Sequence, residues 1–410
     1  MTESKKSNYL DLLSNHRRLI FLGVYHTFAS SFGQTIIVAL FLKSVCSEFG
    51  LTAGQYGTIY GGVTVLSALT LTVTGPVVDR VHLRWYSLTT AVTLSAGAAV
   101  MALANSITLV VIGLFLVRHG GQALMPHCTS TTMARYFKVN RGKALALSNL
   151  GYAIGEGLLP GVIGYLLMIS DWQTVYACIA LLVLPAGLMA SFGFIKMTDD
   201  FANPMELIDK KDFTQSARPS EVLRQQKFYL VLPCYLMAPF VLTGFLFYQA
   251  ALADSRGWSL AFVATSLSFF AGFRFIFSFV SGFLIDKFSA QKMMIFHLLP
   301  LTIGLLILLV SRHSFTAILF WACCGATVGL GSNIKQALWA ELYGTAFLGA
   351  VKSIIAPFTV VSTAFSPFLF GMLIDGGIAI NIIITASIFC ILVSMLLCFF
   401  GMKGFFKNER

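Results

Sequence analysis

Three ionisable side chains stand near the middle of long apolar runs: Arg118, Glu156 and Arg274. A charge at that depth costs several kcal/mol unless it is paired or faces a water-filled cavity, so each marks a functional site by default. The residue types narrow the chemistry. A guanidinium offers a rigid fork of donors that matches a carboxylate or a phosphate through two parallel hydrogen bonds. Two such forks, Arg118 and Arg274, repel one another across an empty cavity, and a bound anion relieves that repulsion. Glu156 is the one acid at midmembrane depth. It can take up a proton when substrate is bound and release it afterwards, or it can serve as the internal partner of an arginine.

Neutral and shallower groups complete the set. His119 follows Arg118, and His26 lies on the first apolar run with Tyr25 and Gln34. An imidazole can carry a proton near neutral pH, and it can equally tie two helices together by hydrogen bonds. Lys335 lies towards the end of its run beside Asn333, where it draws anions to a mouth or extends its ammonium to water. The expected substrate contacts are therefore Arg118, Arg274, Gln34, Tyr25, His119, Asn333 and Lys335. The expected proton-coupling groups are Glu156, His119 and His26. Tyr60, Tyr152, Tyr248 and Trp339 are further candidates to line a path.

These residues need a membrane-spanning frame. The chain is 57% hydrophobic and only 11% charged. A soluble protein has no means of hiding that much apolar surface. About twelve apolar runs recur between residues 19 and 402, each near the ~20 residues needed to cross ~30 Å of hydrocarbon. Alternating ten-residue strands are absent, which argues against a barrel. Each span must satisfy its own backbone hydrogen bonds, so all are expected to be helices. The fold class expected is an all-α membrane protein with twelve transmembrane helices.

The net charge of +11 invites a nucleic-acid reading, but its placement argues otherwise. Lysines and arginines crowd the loops after the second, fourth, sixth, eighth and tenth runs and both termini. The opposite loops hold little more than Lys43, Arg256 and Arg312. That asymmetry puts both termini and the middle loop in the cytoplasm of a bacterial inner membrane. The first twenty residues are polar and charged, unlike a cleavable signal peptide. The eight cysteines lie mostly inside apolar runs and lack metal-ligand spacing, so no disulfide, metal or cofactor is expected.

Two short motifs recur at one offset of about 207 residues. Gly75-Pro76-Val77-Val78-Asp79-Arg80 returns as Gly282-Phe283-Leu284-Ile285-Asp286-Lys287, and Gly142, Pro160 and Gly164 return as Gly349, Pro367 and Gly371. The chain therefore reads as two similar halves, residues 1–195 and 228–410, joined by a polar cytoplasmic linker at 196–227. Repeated halves in an apolar chain are the mark of a secondary transporter. An aspartate at a helix end can face the positive end of a neighbouring helix. Gly75, Asp79, Arg80 and Arg84, with Gly282, Asp286 and Lys287, are thus expected to gate the cytoplasmic side; a static cap is the alternative.

The loop Gly75-x-x-x-Asp79-Arg80-x-x-x-Arg84, its second copy and the six-plus-six plan resemble the major facilitator superfamily. His82 stands where that loop usually has a second glycine. A weaker resemblance, to the monocarboxylate and oxalate–formate group, rests on three features. They are Ala134-Arg135-Tyr136-Phe137 with Arg141-Gly142-Lys143-Ala144, Arg274 in the eighth run, and Trp339-Ala340-Glu341-Leu342-Tyr343-Gly344. That group places an arginine at the Arg274 position for a substrate carboxylate, with an aspartate four residues earlier, where this chain has Phe270.

The function expected is proton-coupled transport of a small organic anion by alternating access, with a carboxylate or a polycarboxylate such as a carboxylate siderophore as substrate. A single chain suffices for it. A multidrug or metabolite exporter of the same fold is the alternative. The fifth run carries Gly151, Gly155 and Pro160 of an antiporter signature but Leu159 where a glycine is usual. A non-transporting receptor is more remote, because it needs a signalling domain or long tail. No Gly-x-x-x-x-Gly-Lys-Ser/Thr motif or catalytic triad stands out, so no enzyme is expected.

Overall fold

The computed structural model describes residues 9–137, 141–196, 222–343 and 348–407; the side chains of 10, 79, 134, 135, 141, 142, 286, 336, 340, 348–354 and 403–407 are outside that description. The described residues are overwhelmingly helical and include no strand. Among the described residues eleven helices are long and apolar enough to cross a membrane: Arg17–Phe49, Ala53–Val78, Ile107–Met133, Lys143–Ile169, Trp172–Phe194, Gln226–Phe247, Leu260–Ile285, Ala290–Val310, Phe315–Tyr343, Ile355–Asp375 and Ile380–Met402. A twelfth, Leu83–Ala102, is 20 residues long and takes third place in the chain. At 1.5 Å per residue it reaches about 30 Å. It carries Ser87, Thr89, Thr90, Thr93 and Ser95, which lower its apolarity below that of the others. Ordinals below count it as the third span.

Large apolar side chains are exposed along the spans, among them Leu181, Met189, Phe283 and Val310. In hydrocarbon such side chains are solvated, so burying them gains little. Helix association then depends on close packing and on hydrogen bonds. Glycines provide the closeness. A Cβ on Gly325 would meet the Phe270 carbonyl, and one on Gly329 the Arg274 carbonyl, so the tenth span crosses the eighth backbone to backbone. Hydroxyls provide the bonds. Ser95 donates to the Ala180 carbonyl at 3.0 Å, and Ser87 lies 2.8 Å from Ser191, so the third span is tied to the sixth.

The chain divides into two compact units, one of Met1–Leu51 with Gly62–Lys210, the other of Thr52–Gly61 with Lys211–Arg410. In the first unit the third span packs on the fourth and sixth, and the fifth packs on the first. A dense cluster including Leu12, Leu19, Ile20, Tyr86, Met133 and Phe137 closes one end. In the second unit the eighth span packs along the tenth, and the seventh packs on the eleventh and twelfth.

The start of the second span, Thr52–Gly61, belongs to that second unit. Asp375 accepts from the Gly54 N–H at 2.8 Å. The Tyr248 hydroxyl reaches the carbonyls of both Ala53 (2.8 Å) and Pro367 (2.7 Å). Added Cβ atoms on Gly57 and Gly61 would strike the carbonyls of Pro367 and Ala364. Tyr56 and Tyr60 pack on Phe247, with ring centroids 5.8 and 4.3 Å away.

Two spans depart from the unbroken helices that their apolar runs imply. The first span leaves helical geometry at Gln34 (φ −78°, ψ 154°), between short 3₁₀ turns at Ser31–Gly33 and Ala39–Phe41. The fourth holds a π-helical segment at Arg118–Leu124. Of the linker expected at 196–227, residues 197–221 lie outside the described residues.

Candidate functional site

The two irregular segments meet. A Cβ on Gly33 would lie 2.7 Å from the Gly121 Cα and 2.5 Å from the Val117 carbonyl, so the break in the first span presses on the π turn of the fourth. Gly120 lets the other side of that turn touch the Leu94 backbone. At the break the Ile37 N–H bonds to the Gln34 carbonyl instead of reaching back to Gly33. Arg118 fills the vacated place: it donates to the Gly33 carbonyl at 3.0 Å and to the Thr64 hydroxyl at 3.2 Å. It is 1% exposed. A broken helix near midmembrane and a π turn are both recurrent features of functional sites.

The other expected groups of the first unit cluster around this break or on its helices. Gln34 sits in the break itself and donates to Ser30 at 3.1 Å. Glu156 is buried on the fifth span, and its neighbour Gly155 abuts the Ser31 side chain. His119 stacks on Phe115 and lies 3.2 Å from both Ser67 and Thr74. The single Thr74 proton goes to the Thr70 carbonyl. His119 Nε2–H therefore donates to Thr74, while Nδ1 faces the Ser67 hydroxyl. His26 donates through Nδ1 to the Leu22 carbonyl, its Nε2 lies 3.2 Å from the Ser87 hydroxyl, and Ser87 lies 2.8 Å from Ser191. Tyr25 packs edge-on against His26 and donates to the Val183 carbonyl at 3.3 Å.

In the second unit Arg274 is half-buried on the eighth span. Asn333 donates to the Ser278 carbonyl and the Ser281 hydroxyl, both at 2.8 Å, and so staples the tenth span to the eighth. Lys335 has a different partner. Its ammonium rests 4.6 Å from the centre of the Tyr235 ring. Tyr235 and Trp339 lie with ring centroids 5.4 Å apart, and Trp339 is almost wholly buried. The buried His297 ring and the Lys335 stem both border the space over Gly331. The sequence signals Lys335 and Trp339, four residues apart on one helical face, but Tyr235 and His297 lie far away along the chain.

The profile described as Major Facilitator Superfamily matches residues 25–273 and 231–407. The chain belongs to the major facilitator superfamily. Among solved structures it resembles a bacterial homologue of the human lysosomal transporter Spinster. The inward-facing, unoccupied form of that homologue has a TM-score of 0.70 at 13% identity, covering 98% of this chain and 99% of that one. The inward-facing, occupied form has a TM-score of 0.68 at 14% identity with the same coverage. At such identity the likeness is one of fold. Comparison with curated proteins finds no match.

The superfamily's loop motif is built from backbone anchors here. The Gly75 carbonyl lies 3.1 Å from His127 Nε2. His82 accepts from the Arg84 N–H at 3.2 Å and caps the third span. Arg84 donates to the Ile195 carbonyl at 3.0 Å and lies over Phe192, which holds the end of the sixth span. Arg80 is exposed. In the second copy Gly282 has open space where a Cβ would stand, and Lys287 lies over Phe288. The side chains of Asp79 and Asp286 lie outside the described residues. A carboxylate on a helix start does occur nearby: Glu341 accepts from the N–H groups of Ala290 (2.8 Å) and Gln291 (3.1 Å).

Proposed function

We propose that this superfamily member is a secondary active transporter of a small organic anion, a carboxylate or a polycarboxylate, driven by protons through alternating access. Lys335 carries the reading. It is a cation within a membrane span, and among the described residues no carboxylate lies within ion-pair distance; its neighbour is an aromatic face. A π face offsets only part of the cost of desolvating an ammonium. A substrate anion supplies the missing charge. Arg118 adds a second cation at span depth, with the Gly33 carbonyl and the Thr64 hydroxyl among its acceptors. The half-buried Arg274 adds a third cation at span depth.

Protons enter through groups whose bonds can be exchanged. His119 sits between two hydroxyls, and His26 ends a chain of hydroxyls. Glu156 sits one residue from the contact with the broken span. The charge asymmetry of the loops orients the chain with both termini in the cytoplasm of a bacterial inner membrane. The resemblance to the monocarboxylate and oxalate–formate group agrees with a carboxylate substrate, and a single chain holds all of these groups.

A second reading, export of an amphipathic anion, draws on an apolar groove of about 410 Å³ along the seventh and eleventh spans. Leu232, Leu236, Met237, Phe240 and Ser362 line it.

Uptake into proteoliposomes tests both. Labelled lactate, oxalate, succinate, citrate and a ferric carboxylate siderophore are offered with and without an inward proton gradient, to wild type, Lys335→Gln and Arg274→Gln. Gradient-driven uptake that either variant loses is the expected result. Uptake of none of these anions, or uptake untouched in both variants, overturns the proposal and turns the search to exported amphiphiles.

A further inference from the structure

A second charged feature lies apart from these residues, where the chain enters the first span. The short helix Tyr9–Asn15 ends one residue before the helix Arg17–Ser30 begins, and His16 is the pivot (φ −122°, ψ 27°). Leu12 pins the short helix into the core cluster, and the Lys143 ammonium lies over the Tyr9 ring at 5.7 Å. The bend leaves a pocket of about 420 Å³ lined by Ser14, Asn15, His16, Arg17, Arg18, Leu19 and Tyr136. Among the described residues the lining includes no acid. The Tyr136 hydroxyl and His16 Nδ1 lie 3.3 Å apart, and the His16 ring packs edge-on against Tyr136 and Phe137.

We infer that this pocket binds the phosphate of an anionic phospholipid. Two adjacent guanidinium groups are donors that a phosphodiester takes up, the fork fitting its oxygens two at a time, and the hydrogen-bonded His16–Tyr136 pair gives the pocket a polar wall. A free phosphate shares that chemistry. The membrane side of the pocket favours the lipid. Membrane-span character begins at Arg17. Phe21 lies one turn further on, on the same helical face as Arg17, and it is 48% exposed while stacking on Phe194 at 6.3 Å. A phosphate seated among the arginines therefore has its acyl chains alongside Phe21.

Native mass spectrometry of the full chain, purified from mixed phosphatidylglycerol and phosphatidylcholine vesicles, tests the inference. Wild type is expected to retain phosphatidylglycerol over phosphatidylcholine. Each arginine near an anionic leaflet is worth about 1 kcal/mol. Arg17→Gln should therefore weaken retention about 5-fold, and Arg17→Gln with Arg18→Gln about 30-fold. Arg17 is exposed, so the single variant decides the matter if the double variant fails to fold. Equal retention of phosphatidylglycerol by wild type and Arg17→Gln overturns the inference. So does the absence of any preference between the two lipids in a protein that still binds soluble glycerol 3-phosphate.

Discussion

Arg118 donates to the Gly33 carbonyl at 3.0 Å, and that bond joins the one break in the first span to the π turn of the fourth. Neither irregularity is stable alone in hydrocarbon, where a backbone group without a partner costs several kcal/mol. Together they close, because the turn that interrupts one helix presents the donor that the other lacks. The same guanidinium is the proposed anion contact. On that proposal, a bound carboxylate would compete with Gly33 for it and couple loading of the site to the geometry of the first span.

Replacing Arg118 with Leu removes that donor and leaves the carbonyl buried. The expected loss is about 1–3 kcal/mol of stability. Thermal unfolding of the purified protein in detergent reads it, and Arg118→Lys should recover part of the loss. An unchanged melting temperature for Arg118→Leu would mean that Gly33 has another donor.

Glycines within the first two spans should differ sharply. A Cβ on Gly33 would meet the Val117 carbonyl at 2.5 Å, whereas one on Gly62 meets nothing within 4 Å. Gly33→Ala should cost about 1–3 kcal/mol by overpacking. Gly62→Ala should be neutral or slightly stabilising, since alanine is the better helix former. Equal melting temperatures for the two variants would contradict the tight seam.

Tyr248→Phe tests the seam between Thr52–Gly61 and the eleventh span. The hydroxyl now reaches the Ala53 and Pro367 carbonyls, and its loss strips a donor from both. Faster hydrogen exchange across residues 52–61 is expected, with the ring packing on Phe247 preserved. Unaltered exchange in that segment would show that the glycine contacts alone hold it.

Asp171, at the turn before the sixth span, gives a pH dependence. Its carboxylate caps the helix by accepting from the Thr174 N–H at 2.6 Å, and that bond holds its pKa below the ordinary carboxylate value. A lowered folded-state pKa contributes stability above the unfolded value and loses it as pH falls through the folded one. Melting temperature should therefore fall below the usual carboxylate range by less in Asp171→Asn than in wild type. Identical acid limbs would remove the cap from the account.

Most of the fold was legible in the sequence because hydrocarbon imposes length and apolarity on each span, and eleven of the twelve helices carry both. The third was legible through its length and its place after the Gly75 loop, although its hydroxyls dilute its apolarity. The break at Gln34 was hidden inside an apolar run that contains no proline. Its signals were Gly33 and the Gly120-Gly121 pair, whose meaning appears only once the two helices touch. The charges at depth were visible as residue types. Their partners were not, because Thr64 for Arg118 and Tyr235 for Lys335 are set by packing between distant segments.

The hydroxyls of the third span also constrain how the protein is made. Ser87 and Ser95 find their partners, Ser191 and the Ala180 carbonyl, on the sixth span. A ribosome reaches those partners roughly a hundred residues later. Until then the third helix lacks the neighbour that completes its side-chain hydrogen bonds. A nascent chain cut short before the sixth span therefore leaves the Ser87 and Ser95 hydroxyls without the partners that the complete first half gives them.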